Sequence, residues 1–269
     1  MSGDAPKQAG YPNRSFGYSD LLRFTERGSG PSLLLLHGLM ITGEMFEPVI
    51  DHFAARHRVI VPDLRGHGRS GAFSPPYTAS QHAADLLTLL DHLGVGSTSV
   101  LGYSYGGTIA QQLVLDYPRR CTHLVLACTY AFNMATVREQ IEGHLVPFLI
   151  GILGMRLFAK FVLSLGLRRV DRERANWVLG LIARQDRRAM VSAWREAMAF
   201  DSRGQLSEIK CPTLVVAASN DTAVPLNHAK TLTGGISGAQ LVVIDGADHA
   251  LIWDRPGEFV RVVENFLDA

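Results

Sequence analysis

One hexapeptide carries a nucleophile in a setting suited to it. Gly102-Tyr103-Ser104-Tyr105-Gly106-Gly107 fits the pattern G-x-S-x-G, with an apolar run before it and a helix-forming stretch after it. A sharp strand-to-helix turn strains the backbone of such a serine and projects its hydroxyl outward. Glycines two positions on either side allow neighbouring backbone to approach without a Cβ clash. Gly107 lets the helix start close to the sheet, and the helix N-terminus adds amide donors beside the hydroxyl. A serine hydroxyl is a poor nucleophile at neutral pH and needs a base. Of the ten histidines, His249 stands out, because it follows the last apolar run in Asp245-Gly246-Ala247-Asp248-His249. His52, His57, His82 and His92 read as helical or loop surface.

The base needs an acid that fixes its tautomer and stabilises the imidazolium. Asp221, in Ser219-Asn220-Asp221-Thr222-Ala223-Val224-Pro225, follows another apolar run. The chain order Ser104, Asp221, His249 is that of one particular fold and differs from two other serine-protease orders. The loop Thr129–Asn133 holds no carboxylate, and Asp248 is the rival acid, expected to point outward. An oxyanion needs two backbone N–H donors. The amide of Tyr105 is one candidate. Leu39, in His37-Gly38-Leu39-Met40, is the other, with His37 holding the loop. No metal or organic cofactor is required, and the histidine spacings suggest no metal cluster.

Six short apolar runs must position these residues: Leu33–Leu36, Arg58–Asp63, Ser99–Gly102, His123–Ala127, Thr213–Ala217 and Gln240–Ile244. Unalternated Val- and Ile-rich runs of this length suit strands covered on both faces. Helical patterns over Ser80–Leu93, Thr108–Tyr117 and Arg255–Leu267 lie between and after them. The alternation predicts an α/β fold, a mostly parallel twisted sheet with helices on both faces. Asn13–Arg27 is expected to supply one or two edge strands. From 132 to 205 only helical patterns occur, over Leu145–Leu167, Arg172–Arg184 and Arg187–Phe200. They predict an all-helical insertion at 132–205 in a core of 1–131 and 206–269. Pro147, Arg156, Lys160 and three glycines interrupt the very apolar stretch 145–167, whereas a membrane span needs about 20 nearly uninterrupted apolar residues.

With 26 Lys and Arg against 25 Asp and Glu, the net charge of +1 offers no electrostatic footprint for nucleic acid. At 47% hydrophobic residues the chain can bury enough surface to order itself. Cys121, Cys128 and Cys211, an odd count with no CxxC pair, read as buried thiols. The polar stretch Met1–Gly10 lacks a signal-type apolar region, so a cytoplasmic location is expected.

On these motifs, together with the loop Asp63-Leu64-Arg65-Gly66-His67-Gly68-Arg69-Ser70 and the tail Trp253-Asp254-Arg255-Pro256, the chain resembles the α/β-hydrolase fold superfamily. The closest branch comprises small serine esterases, lipases, enol-lactonases and cofactor-free haloperoxidases. The resemblance implies that Ser104, Asp221 and His249 are nucleophile, acid and base, that the insertion caps the site, and that the 63–70 loop is structural. One departure is Gly246-Ala247-Asp248-His249, where related sequences often read Gly-x-Gly-His. The expected activity is hydrolysis of a carboxylic ester, lactone or thioester of a small, apolar substrate. The alternatives are C–C cleavage, perhydrolysis, a lyase or isomerase step, or a non-catalytic ligand-binding module. Met40, Tyr103, Phe148, Ile152, Phe158 and Trp253 are the expected pocket walls, and the apolar cap is a surface on which two copies could pair as a homodimer.

Overall fold

The computed structural model describes residues 22–70, 76–166 and 172–269. Seven strands form one sheet: β1 (Phe24–Arg27), β2 (Ser32–Leu36), β3 (Arg58–Pro62), β4 (Thr98–Tyr103), β5 (Cys121–Ala127), β6 (Thr213–Ala218) and β7 (Gln240–Ile244). Their spatial order is β1-β3-β2-β4-β5-β6-β7, all parallel except β1, which runs antiparallel to β3. Each central strand buries nearly every residue; in β2 Leu33, Leu34, Leu35 and Leu36 are wholly buried. The edge strand β7 departs from the expected two-sided cover. Its Val243 is 40% exposed, because an edge strand has fewer neighbours on its outer face. Of the Asn13–Arg27 expectation, Phe24–Arg27 forms an edge strand, and residues 13–21 lie outside the described residues.

The register brings the strand ends that matter into line. Leu36 pairs with Gly102, Tyr103 with Ala127, Ala127 with Val216, and Ala218 with Ile244. The loops that leave β2, β4, β5, β6 and β7 therefore open on one carboxyl edge, where α/β sheets place their ligands. Helices α1 (Glu47–Ala54), α2 (Ala79–His92), α3 (Tyr105–Asp116), α4 (Val137–Gly166), α5 (Arg172–Ala183), α6 (Arg187–Ala199), α7 (Leu226–Gly235), α8 (Leu251–Asp254) and α9 (Pro256–Leu267) complete the chain. Two buried clusters, one on each face of the sheet, are divided by strand alternation: Leu33 and Leu35 belong to one, Leu34 and Leu36 to the other.

Helices α4 to α6 are the insertion, and its neck is visible in the hydrogen bonds. Phe132 and Asp201 form an isolated antiparallel bridge, and Ser202 N–H donates to Ala131 O at 2.9 Å. Helix α4 starts eight residues before the apolar run at Leu145. A reciprocal cap sets that start: Glu139 N–H donates to Thr136 Oγ1 at 3.2 Å, and Thr136 N–H donates to Glu139 Oε2 at 2.8 Å. The helix breaks at Gly154, where φ is 70° and ψ 165°. Side-chain contacts tie the insertion to the core, two polar ones among them. Glu139 Oε1 meets His228 Nε2 of α7 at 2.7 Å, both side chains buried, and Gly68 N–H donates to Gln185 Oε1 at 2.9 Å.

Candidate active site

Ser104 stands between β4 and α3 at φ 52° and ψ −120°, a conformation L-residues adopt rarely and at a cost of about 1–3 kcal/mol. The surroundings hold it there. Ser104 N–H donates to Ala127 O at 2.9 Å, while Ser104 O accepts from Gly107 N–H at 2.9 Å and from Thr129 Oγ1 at 2.6 Å. The flanking glycines are required by close approach. A Cβ on Gly102 would collide with the Gly106 carbonyl, and one on Gly106 would collide with the Leu36 carbonyl.

The three chain-distant residues meet at this point. Ser104 Oγ lies 3.2 Å from His249 Nε2, and His249 Nδ1 lies 2.7 Å from Asp221 Oδ2. Asp221 is fixed by its other oxygen, which accepts from Ala223 N–H at 2.9 Å and Val224 N–H at 2.8 Å. The histidine loop is held from two sides: Tyr103 Oη donates to His249 O at 2.7 Å, and Asn220 N–H donates to Ala247 O at 2.9 Å. The Asp221 side chain is 1% exposed and that of His249 33%, so the imidazole alone of this pair faces solvent. Burial pulls the His249 pKa down, but the Asp221 charge, their hydrogen bond and the Asp248 charge outweigh it. The imidazole therefore titrates above its ordinary 6.5.

Asp248 corrects one expectation. Its carboxylate does not simply point outward; it turns onto its own backbone, accepting from Ala250 N–H at 2.7 Å, and stays near enough to raise His249. A short side chain after a strand finds its nearest donors two residues on.

His37 is wholly buried and holds the 37–40 loop. Leu64 N–H donates to its Nε2 at 2.9 Å, and its Nδ1 lies 2.7 Å from Gly38 O. That loop lies against Ser104: a methyl on Gly38 would stand 3.5 Å from Ser104 Cβ. Leu39 follows there, half-buried, and Tyr105 begins α3 on the other side of Ser104. The Tyr105 side chain is buried, with its hydroxyl 3.0 Å from His82 Nε2. His82 is thus no surface residue; it is fully buried on the inner stripe of α2, and His57 is buried as well. Burial drives His82 well below the ordinary imidazole value, lowers His37, and takes His67 to about 3, so these rings are neutral.

Of the six expected pocket residues, Met40, Tyr103, Phe158 and Trp253 fall in one buried cluster that joins the sheet to helices α4 to α6. Trp253 Nε1 donates to Met45 O at 2.9 Å, and its ring meets Trp177 of α5 edge-on at 5.9 Å. Phe148 and Ile152 do not belong there, being 62% and 65% exposed. Each is two positions from the buried Ile150, about 200° around the helix, which places them on the outer face.

Cys128, expected only as a buried thiol, is buried and follows β5 at φ 46° beside the site. Its sulfur, a carboxylate oxygen of Asp221 and a ring nitrogen of His249 lie within 4.8 Å of one another. These are metal-ligand types, yet the 2.7 Å Nδ1–Oδ2 spacing is that of a shared proton. Two ligands around a tetrahedral zinc ion stand roughly 3.3 Å apart. Burial pushes the Cys128 thiol well up, so it is a neutral neighbour of the acid.

Comparison with known proteins agrees with this fold. The chain is 29% identical over 250 residues to a poly(3-hydroxyalkanoate) depolymerase of Ectopseudomonas oleovorans, covering 87% of this chain and 83% of that one. It is 31% identical over 241 residues to the magnesium-chelatase 30 kDa subunit of Rhodobacter capsulatus, covering 82% of each. The enol-lactonase of Burkholderia xenovorans LB400 superposes with a TM-score of 0.83 at 25% identity, over 92% of this chain and 96% of that one. The sequence profile of the alpha/beta hydrolase fold matches residues 31–256. The chain belongs to the alpha/beta hydrolase fold family.

Proposed function

We propose that the protein is a serine hydrolase that cleaves a carboxylic ester, lactone or thioester through an acyl-enzyme on Ser104. The observation that carries this reading is the continuous path Ser104 Oγ–His249 Nε2, His249 Nδ1–Asp221 Oδ2, at 3.2 and 2.7 Å on a strained elbow. Ser104 Oγ attacks the acyl carbon as His249 Nε2 takes its proton; the 3.2 Å contact shortens when substrate binds. Asp221 accepts from Nδ1–H and stabilises the imidazolium. The amides of Leu39 and Tyr105 hold the oxyanion. His249 returns the proton to the leaving alcohol or thiol, and water then releases the acid.

Two related proteins carry names that denote ester or lactone substrates, which supports attack on an acyl carbon. The buried cluster of Met40, Tyr103, Phe158 and Trp253 beside the triad supports an apolar acyl group or ring. Hydrolysis of p-nitrophenyl esters from acetate to octanoate tests both parts. The expected result is turnover that rises from acetate to medium chains and vanishes in Ser104→Ala. Turnover unchanged in Ser104→Ala refutes the nucleophile, and a strict acetate preference refutes the apolar pocket.

A further inference from the structure

We propose that the outer face of α4 docks the cap on an anionic lipid surface. Seven large hydrophobic side chains are exposed among the described residues, and six of them lie on this helix. Val137, Ile141, Leu145, Phe148 and Ile152 recur at intervals of four, four, three and four, which places them on one stripe roughly 80° wide. They are 45–72% exposed, and Leu157, beyond the break at Gly154, is 54% exposed. Scattered exposed apolar residues need no explanation, but a contiguous row of them marks a contact surface.

Charge decides what the row contacts. Residues 132–205 hold 12 Lys and Arg against 7 Asp and Glu, a net charge of +5. The whole chain carries 26 against 25, so the remainder is at −4. Three basic groups lie at the C-terminal end of the stripe. Arg187 Nη1 donates to Gly151 O at 3.2 Å, beside Ile152, and Arg156 and Lys160 are exposed on the turns around Leu157. An apolar stripe with basic residues at one end suits the headgroup region of an anionic bilayer. Two copies meeting through this stripe would bring the Arg156, Lys160 and Arg187 groups of each toward those of the other, which disfavours a second copy as the occupant.

The helix lies on the surface and does not cross it. Val137–Lys160 is long and apolar enough for a span by length and composition. Its inner face, however, is already committed to the protein. Ile150, Met155, Phe158 and Ala159 are buried in the core cluster, Glu139 holds His228, and Gly143 O accepts from Trp194 Nε1 at 3.1 Å.

Co-sedimentation of the full chain with vesicles tests this. Binding is expected to vesicles of phosphatidylcholine mixed with phosphatidylglycerol, about tenfold weaker to phosphatidylcholine alone. It should be lost in 1 M salt, where the screening length falls to about 3 Å from about 10 Å at 0.1 M. Ile141→Asp with Leu145→Asp should abolish binding while the circular dichroism and Tm match the wild type. Arg187→Gln with Arg188→Gln should reduce the preference for the anionic vesicles. The proposal is overturned if the mixed vesicles fail to bind the wild type, or bind the Asp variant equally. It is also overturned if light scattering shows a concentration-dependent dimer that the Asp variant abolishes, because a second copy then covers the stripe.

Discussion

The strain at Ser104 predicts an inversion of an ordinary stability ranking. At most positions alanine is more stabilising than glycine by about 0.4–1 kcal/mol, because glycine loses more freedom on folding. At φ 52° and ψ −120° a Cβ costs about 1–3 kcal/mol, and glycine escapes that cost. Ser104→Ala and Ser104→Gly both lose the 3.2 Å contact to His249, so their difference isolates the Cβ. Strain less entropy leaves Ser104→Gly more stable than Ser104→Ala by about 1 kcal/mol. In a chain of this size that is about 2–4 °C in Tm. Urea unfolding and thermal melts of the two variants at pH 7.5 measure it. An alanine variant as stable as the glycine variant, or more so, refutes the claim that the elbow stores strain.

Further predictions concern the acid, the base and the buried histidines. Asp221→Asn should lower kcat by about 10³–10⁴, since the wrong tautomer of His249 is then favoured, with stopped-flow or steady-state ester hydrolysis as the readout; a rate within tenfold of wild type removes Asp221 from the acid role. His249 must be neutral to take a proton, so kcat/KM should rise with pH along a limb whose midpoint lies above 6.5. Asp248→Asn, which removes a charge that raises His249, should move that midpoint down; an upward move contradicts the assignment. Burial lowers the pKa of His37, His67 and His82 in the fold, so the unfolded chain takes up protons at these rings more readily below about pH 6.5. Their contribution is therefore full above that pH and lost as pH falls. Urea titrations between pH 7 and 5 should show the loss, with a shallower slope in His82→Phe.

The core of the fold was legible because its signals are local. Runs such as Leu33–Leu36 and Thr213–Ala217 can be covered only from both sides, and each is a strand buried between helices. The elbow was legible because the strand, the G-x-S-x-G glycines and the helix follow one another in sequence, although the backbone that Gly106 must clear, at Leu36, comes from a distant strand. What the residues hid depends on long-range packing. The short helices α1 and α7 carry only a few apolar positions each, too few to stand out before tertiary contact. His82 looked like surface because imidazole is polar, yet it faces Tyr105, twenty-three residues away. The start of α4 had a readable signature in Thr136-Val137-Arg138-Glu139, a capping box outside the apolar run. The stripe Phe148–Ile152 shares its helix with the buried Ile150, and only the three-dimensional packing distinguishes the lining face from the outer one.

The central claim is that Ser104 is the group that takes the acyl chain. Mass spectrometry of the protein after treatment with a fluorophosphonate measures this directly. The account predicts one stoichiometric adduct, mapped to the peptide that contains Ser104 and absent in Ser104→Ala. An unmodified wild-type protein, or an adduct mapped to any other residue, would contradict it.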